Sequence, residues 1–244
     1  MLAYILRSLM QGLVVMLAVA FIAFSMFRFV GDPVVNMLGQ EATLQDRAEL
    51  TERLGLNDPV PLQFARFDAF DKTSATDWVA AAVDRFGRID GLVNNAGSAE
   101  QVSLMDDDEE ALDRLWTVNV KAPLRLTRLC LPHLEATGAG RIVNVASLSG
   151  KRVRNGSVGY NMTKFALMGL THTTRHVAWD RGVRATAVCP SFVRTDMSSH
   201  TKKLAPDEMI QPGTMAELVR TLIELPNSAA IAELLVNCRL EDML

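Results

Sequence analysis

The sequence predicts an α/β fold built on a parallel sheet, with one membrane-spanning helix in front of it. Three observations support this prediction. Residues 9–27 form an apolar run without a charged residue. From about residue 67 onward, short β-branched segments alternate with helical segments, which is typical of βαβ units. Polar residues follow the predicted strands at 94–97, at Ser147 and at 190–195, where ligands of parallel sheets bind.

The apolar run at residues 9–27 lies between Arg7 and Arg28. A helix of that length is about as long as a bilayer core is thick, so we expect it to span a membrane. A signal peptide is the second possibility, but no small-x-small cleavage site follows the run. A buried core helix is the third, disfavoured because the run is apolar on every face. An amphipathic helix is predicted at residues 43–55, between a threonine N-cap and a glycine stop.

Helices and strands alternate in the second segment. Helices are predicted at 74–86, at 109–132 (one long helix or a helix pair) and at 161–181, and strands at 91–93, 142–145 and 183–188. The stretch 196–212 has no clear period and is predicted to be a substrate lid. The chain ends in a segment, ELLVN, that is predicted to be the last strand.

Composition excludes some classes of function. The 244 residues carry a formal net charge of −3, so the chain is not an evident nucleic-acid binder. The three cysteines are widely separated and odd in number, which argues against a disulfide framework and predicts small buried side chains. His172 and His176 are spaced for a metal on one helix face, but no acidic or sulfur partner has matching spacing. We therefore predict exposed helix surface there and no metal site.

The positions of Ser147, Tyr160 and Lys164 indicate a proton-transfer site. Tyr160 and Lys164 are at i and i+4 of a predicted helix, so their side chains share one face. A neighbouring ammonium is expected to lower the pKa of the phenol towards the range in which an acid–base catalyst works. Ser147, just past a predicted strand, could hold a carbonyl or alcohol oxygen. Tyrosine and lysine occur at this spacing on many solvated helices, so Ser147 supplies the context that favours a site.

Three segments near the amino terminus carry a first resemblance: MLAYILRSLMQGLVVML, GDPVVNMLG and ERLGLNDPVPLQFARF. They resemble the start of permease subunits of bacterial dipeptide/oligopeptide ABC importers, over residues 1–66. Neither further spanning helices nor a coupling loop follows, so the resemblance implies a membrane anchor rather than transport. The expected location is the bacterial inner membrane if the helix inserts, and the cytoplasm otherwise.

A second resemblance covers residues 67–244. Its motifs are Asp68, NNAG at 94–97, Asn119, Ser147, Tyr160-x-x-x-Lys164 and PSFVRT at 190–195. Their order and spacing are similar to those of the short-chain dehydrogenase/reductase family. The resemblance implies a partial Rossmann-like doubly wound parallel sheet and hydride transfer between NAD or NADP and a small alcohol or carbonyl substrate. It also implies a homo-oligomer formed through the reductase helices.

The resemblance assigns roles to individual residues. It implies that Tyr160 donates or accepts the proton, that Lys164 lowers the pKa of Tyr160 and holds the nicotinamide ribose, and that Ser147 orients the substrate oxygen. It further implies that Asn119 supports a water next to Lys164 and that Asp68 contacts the adenine of the cofactor. The residues expected beneath the cofactor are Asn94, Ala96 and Gly97, and those expected at its nicotinamide end are Pro190, Val193 and Thr195.

One part of the family pattern is absent from the sequence. The family begins with a strand, a TGxxxGIG turn and a helix that hold the cofactor pyrophosphate, and no such glycine cluster precedes Asp68. The first βα units are therefore predicted to be missing, together with the residue that selects NAD over NADP. Without them the predicted strand at 91–93 would have an unpaired apolar edge. Ser191 also stands where the family usually has glycine, which would narrow the nicotinamide pocket.

Three hypotheses of function follow. The first is a nicotinamide-dependent oxidoreductase that uses the residues above. The second is an inactive fusion product, a permease start joined to a truncated reductase. The third is a membrane-anchored interaction module in which the reductase part only provides a dimerising surface. The sequence does not identify the substrate.

Overall fold

Helices and strands alternate through the residues that the computed structural model describes, which are 63–105, 107–199 and 201–240. The helices are α1 (Lys72–Phe86), α2 (Glu109–Trp116), α3 (Ala122–Ala136), α4 (Val158–Ala178) and α5 (Pro212–Glu224). The strands are β1 (Gly91–Asn94), β2 (Arg141–Val145), β3 (Arg184–Pro190) and β4 (Glu233–Val236). The helices predicted at 9–27 and 43–55 lie outside the described residues. Within the described ranges, no helix has the length and hydropathy needed to cross a bilayer.

Local capping signals define helix α1. The Asp71 carboxylate accepts a hydrogen bond from the Thr73 backbone N–H at 2.8 Å, which satisfies an amide that has no partner within the helix. Gly87 ends the helix in the left-handed conformation, at φ +75°, where a residue with a Cβ is strained. The helix predicted at 74–86 is confirmed, with its start at Lys72.

A π-helical turn at Thr117–Lys121 joins α2 and α3 into one continuous helical segment. The sequence left open one long helix or a helix pair in this region, and the structure has the long segment. A π turn inserts an extra residue into a helix and is frequent at functional sites. This one carries Asn119, a predicted catalytic residue.

The sheet is parallel, with the strand order β1-β2-β3-β4. Gly91 is paired with Arg141 and Arg141 with Arg184, so the first three strands run side by side from the same level. The predicted parallel sheet is confirmed, and β2 and β3 each lie within a residue or two of the predicted bounds. Among the described residues β1 pairs only with β2. Its four residues are nevertheless buried.

The core lies on the two faces of this sheet. The larger cluster packs side chains of α1, α3 and α5, such as Trp78, Leu134 and Ile223, against β1, β2 and β3. A smaller cluster packs Leu167 and Met168 of α4 against the carboxyl ends of β2 and β3. Full burial of a side chain of this size contributes about 1.5–3 kcal/mol, so the clusters fix α4 firmly on the sheet.

Two glycine-containing turns meet at the opposite, amino-terminal edge of the sheet. Gly182, before β3, has φ +82°, and a Cβ added to it would lie 2.2 Å from the carbonyl oxygen of Gly138, before β2. The side-chain amide of Asn227 donates to the carbonyl oxygens of Gly138 at 2.8 Å and Gly182 at 3.1 Å. Only glycine fits at position 182, because the two backbones touch there.

The three cysteines are free thiols. Cys130 and Cys189 are buried, as predicted, and burial raises the pKa of Cys130 to about 12 and that of Cys189 to about 11. Cys238 is half-buried, with its Sγ 3.6 Å from the Ser191 hydroxyl. His172 is exposed on α4, as predicted. Over the described residues, no group of three or more His, Cys, Asp or Glu side chains could hold a metal ion.

Candidate active site

Three loops meet at the carboxyl edge of the sheet. They follow β1, β2 and β3, and they contain Gly97, Ser147 and Val193 respectively. Because the strands are parallel and in register, these loops lie along one edge, where ligands of such sheets bind. The convergence predicted from the sequence is confirmed by the strand pairing.

Ser147 is the first polar residue beyond β2. Its backbone is extended, and it is the N-cap of the 3₁₀ turn Leu148–Gly150. The Ser147 Oγ accepts a hydrogen bond from the Ser149 N–H at 3.0 Å. The Ser147 side chain is also near enough to the Tyr160 phenol for hydrogen bonding with it to lower the pKa of Tyr160. Serine and tyrosine are therefore already paired, as a shared contact with one substrate oxygen would require.

The start of helix α4 places Tyr160 at this edge. Gly159 packs against the preceding helix and loop so closely that an added Cβ would lie 2.9 Å from Leu115 Cδ1 and 3.0 Å from Val102 Cβ. The glycine allows the first turn of α4 to approach α2, which fixes the position of Tyr160. The helix begins at Val158, before the predicted residue 161, so Tyr160 and Lys164 both lie within it.

The pKa of Tyr160 is shifted upward, whereas the sequence predicted a downward shift. Burial of the phenol raises its pKa, and the hydrogen bond from Ser147 acts in the opposite direction without reversing the shift. Lys164 was expected to lower this pKa. Its Nζ lies 5.5 Å from the Tyr160 ring centroid and donates instead to the Val145 carbonyl oxygen at 3.0 Å. The ammonium thus faces the end of β2 rather than the phenol oxygen.

Lys164 is a buried cation. Only 5% of the residue is exposed. Desolvation lowers the pKa of its ammonium from 10.5 to about 8, although Cys189 acts in the opposite direction. Among the described residues no carboxylate forms an ion pair with Lys164. Burial of an unpaired lysine costs stability, which indicates that the position serves function rather than the fold.

We expect Lys164→Met to stabilise the fold at pH 7, by about 1–3 kcal/mol, because it removes this desolvated charge. The folded-state pKa of about 8 is below the ordinary value of 10.5, so the cost of the charge is complete below pH 8. It declines as the pH rises from 8 towards 10.5. Urea unfolding of both proteins at several pH values measures the difference.

The exposed Lys121 provides the matched control. Lys121→Met should change the free energy of unfolding by less than about 0.5 kcal/mol at any pH. A stability gain of Lys164→Met that does not shrink at alkaline pH would contradict the assignment of the cost to the buried charge.

The side chain of Asn119 links the loop after β1 to α4. Its Oδ1 accepts from the Ser98 N–H at 2.8 Å, and its Nδ2 donates to the Ser98 carbonyl oxygen at 2.9 Å and to Thr163 Oγ1 at 3.0 Å. Every polar atom of the Asn119 amide is therefore engaged. In this structure Asn119 positions the loop that contains Gly97, next to Lys164.

Asn94 belongs to a buried hydrogen-bond network, and its predicted contact with the cofactor remains a prediction. Its Nδ2 donates to Asn144 Oδ1 at 2.8 Å, and Asn144 Nδ2 donates to Thr171 Oγ1, also at 2.8 Å. The network connects β1, β2 and α4 beneath the loops. Asn144 and Thr171 were not among the residues predicted from the sequence. The available signal was their position: Asn144 is polar in a strand of apolar residues, and Thr171 is polar on the apolar face of a helix. Buried polar residues of this kind are expected to form hydrogen bonds.

The other predicted cofactor residues lie around the same edge. Gly97 is half-buried and Ala96 is exposed. Pro190 is buried at the end of β3, Val193 forms an isolated bridge with Ile210, and Thr195 begins a 3₁₀ turn. The bridge ties the segment just before the predicted lid, 196–212, to a residue near the end of that lid.

Asp68 precedes α1 and has local partners. Its carboxylate accepts from the Phe70 N–H at 2.9 Å, and its backbone N–H donates to the Ser74 hydroxyl at 2.8 Å. These contacts anchor the loop before α1, and the predicted contact of Asp68 with adenine remains a prediction.

Comparison with known proteins agrees with this arrangement. A family model described as short chain dehydrogenase matches residues 32–205. The match includes residues 32–66, which belong to the segment that resembles a permease. The permease resemblance, the membrane anchor, the domain boundary at residue 67 and the missing first βα units remain predictions.

Curated relatives include two agropine synthesis reductases of Rhizobium rhizogenes. Both are 55% identical to the chain, over 75% and 72% of its length. The alignments cover 43% and 41% of those proteins, so the chain spans less than half the length of these relatives. An uncharacterized oxidoreductase of Staphylococcus saprophyticus is 30% identical over 69% of this chain and 74% of that protein.

Solved structures with the same fold include two nucleotide complexes. A 3-ketoacyl-(acyl-carrier-protein) reductase from Brucella melitensis, complexed with NADH, has a TM-score of 0.69 and 26% identity, over 77% of this chain and 82% of that one. An alcohol dehydrogenase from Thermococcus sibiricus, complexed with 5-hydroxy-NADP, has a TM-score of 0.68 and 26% identity, over 79% and 82%.

Proposed function

The chain belongs to the short chain dehydrogenase family, and from that premise we propose that it transfers a hydride between NAD or NADP and a small alcohol/carbonyl pair. Tyr160 is the proposed acid–base residue. One arrangement carries the proposal. Lys164 is buried at the carboxyl edge of a parallel sheet, and one helical turn before it lies Tyr160, whose phenol interacts with Ser147.

Each side chain has a role in the proposed reduction. The Tyr160 phenol donates its proton to the carbonyl oxygen and remains as a phenolate. The Ser147 Oγ accepts from the Ser149 N–H, which directs the Ser147 hydroxyl proton towards the substrate oxygen. A proton from solvent then restores the phenol, while Lys164, whose ammonium donates to the Val145 carbonyl oxygen, acts on the cofactor ribose. Oxidation of an alcohol reverses these steps.

The nicotinamide cofactor supplies the hydride to the carbonyl carbon or accepts it from the alcohol carbon. Residues of this chain fit its nicotinamide end. A Cβ on Gly97 would lie 3.4 Å from Asn119 Oδ1 and 3.6 Å from Lys164 Nζ, so the glycine leaves space directly beside the ammonium. Lys164 would hold the ribose there, and Pro190 and Val193 would line the opposite side.

The relatives support the chemical class of the proposal. The Brucella reductase and the Thermococcus dehydrogenase are complexes with NADH and a modified NADP, which supports NAD or NADP here. The agropine synthesis reductases are named for a reduction, which supports carbonyl reduction as the working direction. A homo-oligomer formed through the helices is part of the same proposal, as is location at the inner membrane or in the cytoplasm.

A cofactor titration tests the proposal. The purified full chain should bind NADH or NADPH saturably, with a dissociation constant below about 1 mM, measured by cofactor fluorescence. Gly97→Val should weaken binding at least about tenfold because its methyl groups fill the space beside Lys164. Gly169→Val is the control, since Gly169 lies on α4 with no atom within 4 Å of an added Cβ.

The second candidate is a folded chain without activity, either a fusion product or an interaction module. The absence of a TGxxxGIG cluster before Asp68 favours it. The same titration separates the candidates. No saturable binding of either nucleotide at about 1 mM, by a chain that unfolds cooperatively, would support the inactive chain and contradict the oxidoreductase.

A further inference from the structure

A carboxylate on β4 joins two basic side chains from other elements. The Glu233 Oε2 lies 2.6 Å from Lys151 Nζ, and its Oε1 lies 2.7 Å from His172 Nε2. The Glu233 side chain is 21% exposed, so water screens these contacts less than those of a surface ion pair. Burial raises the pKa of Glu233, but the hydrogen bonds from Lys151 and His172 outweigh it, and the net pKa is lowered.

Lys151 stands at the end of the turn that Ser147 begins. The Gly150 N–H donates to the Ser147 carbonyl oxygen and the Lys151 N–H to the Leu148 carbonyl oxygen, both at 2.9 Å. The turn lies directly on α4, since a Cβ added to Gly150 would be 2.8 Å from the Lys164 carbonyl oxygen. A displacement of Lys151 would therefore move both Ser147 and the turn of α4 that contains Lys164.

His172 provides the second attachment of the carboxylate. It lies on the same face of α4 as Lys164, with Met168 between them at i+4. Met168 itself contacts Cys189 of β3, at 3.5 Å between the sulfur atoms. Glu233 is fixed on the sheet because it is paired in register with Ala187 of β3. One carboxylate thus connects the sheet, the turn of Ser147 and the helix of Tyr160.

We propose that Glu233 is a positioning residue: by holding Lys151 and His172 it keeps the turn that carries Ser147 in place beside the first turn of α4, which carries Tyr160. The inference rests on the proposed function and deepens it, since Glu233 acts on the proton-transfer pair through other residues. Loss of the carboxylate removes the tie of Lys151 to the sheet and to His172. The turn is then held by its backbone hydrogen bonds, by the packing of Leu148 and by the hydrogen bond from Asn155 to Ser149, and we expect the hydrogen bond between Ser147 and Tyr160 to weaken.

The pKa of Tyr160 gives a direct readout without cofactor or turnover. The chain has two tyrosines, so Tyr160 is the one remaining phenol in a Tyr4→Phe background, and its ionisation is followed by phenolate absorbance. The Ser147 hydrogen bond lowers the pKa of Tyr160, so weakening it should raise that pKa in Glu233→Gln. A purely through-space effect has the opposite sign, because removal of a negative charge favours the phenolate.

Glu233→Asp keeps the charge and shortens the reach of the carboxylate. Positioning predicts a smaller rise in the pKa of Tyr160, whereas a charge effect predicts none. In steady-state kinetics, Glu233→Gln should lower kcat about tenfold with KM little changed. Glu224→Gln is the matched control and should change neither quantity, since Glu224 forms an exposed pair with Arg220 on α5.

An unchanged or lowered pKa of Tyr160 in folded Glu233→Gln would overturn the proposal. If Glu233→Gln does not fold, the Glu233→Asp titration decides, and an unchanged pKa there overturns it. Failure of the proposed function looks different: the unsubstituted chain would then neither bind a nicotinamide cofactor nor turn over a carbonyl substrate, whatever the titrations give.

Discussion

Replacing Tyr160 with phenylalanine is expected to lower turnover by about 10²- to 10⁴-fold, the contribution typical of a positioned acid–base group. The substitution removes only the hydroxyl, and the ring keeps its place at the start of α4. Steady-state rates with NADH or NADPH and a panel of small carbonyl compounds measure the loss.

The expected effect follows from the contacts of the phenol oxygen. Tyr160 is half-buried, and burial raises the pKa of its phenol, so the phenol carries its proton at neutral pH and can donate it. Lys164 cannot replace it, because its ammonium donates to the Val145 carbonyl oxygen at 3.0 Å. No second proton donor on α4 is expected to restore the rate in Tyr160→Phe.

Two measurements make the test specific. Affinity for the cofactor should remain within about threefold of the unsubstituted chain, because the proposed contact of Lys164 with the ribose remains. Tyr4→Phe removes the other phenol hydroxyl of the chain and should leave turnover unchanged. Turnover that survives Tyr160→Phe would refute the assigned role.

Gly182→Ala is expected to have the largest effect on stability, a loss of about 3–5 kcal/mol. Two costs add at this position. The φ of +82° is unfavourable for alanine by about 1–2 kcal/mol. The new Cβ would also stand 2.2 Å from the Gly138 carbonyl oxygen, and a backbone atom cannot move aside as a side chain can. Denaturant unfolding followed by circular dichroism measures the change.

Gly87→Ala separates the two costs. Gly87 has a similar φ of +75°, but nothing lies within 4 Å of an added Cβ. It should therefore lose only the conformational part, about 1–2 kcal/mol. Equal losses for the two variants would show that the close approach of Gly182 to Gly138 does not contribute.

Local patterns were sufficient for much of the fold. Short β-branched runs predicted β2 and β3, because parallel strands that are buried on both faces are rich in such residues. Gly87 predicted the end of α1. Helix α5 was missed, although Pro212 at its first turn and the apolar residues after it have the helical spacing. The N-cap residue, Gln211, is not one of the residue types that usually cap a helix, so the sequence did not mark where the helix begins.

The sequence predicted which residues form the candidate site, but only some of the contacts between them. Ser147, Tyr160 and Lys164 were identified from their spacing, and the structure brings them to one edge of the sheet. The direction in which the pKa of Tyr160 shifts could not be read from the sequence, because burial depends on the packing around α4. The partners of Asn94 and Glu233 are likewise distant in sequence. Asn94 pairs with a residue of β2, and Glu233 pairs with Lys151 in the turn after β2 and with His172 on α4.

The strand order also has a consequence for how the chain acquires its shape. In the described sheet each strand pairs with the strand that follows it in the chain, in the order β1-β2-β3-β4. Among these four described strands, none has to be inserted between two that are already paired, so on the ribosome this part of the sheet can extend from β1 towards β4 as each segment emerges. Parallel pairs need a crossover, so each added strand is expected to bring its helix with it and to shield the newly formed pair from other nascent chains.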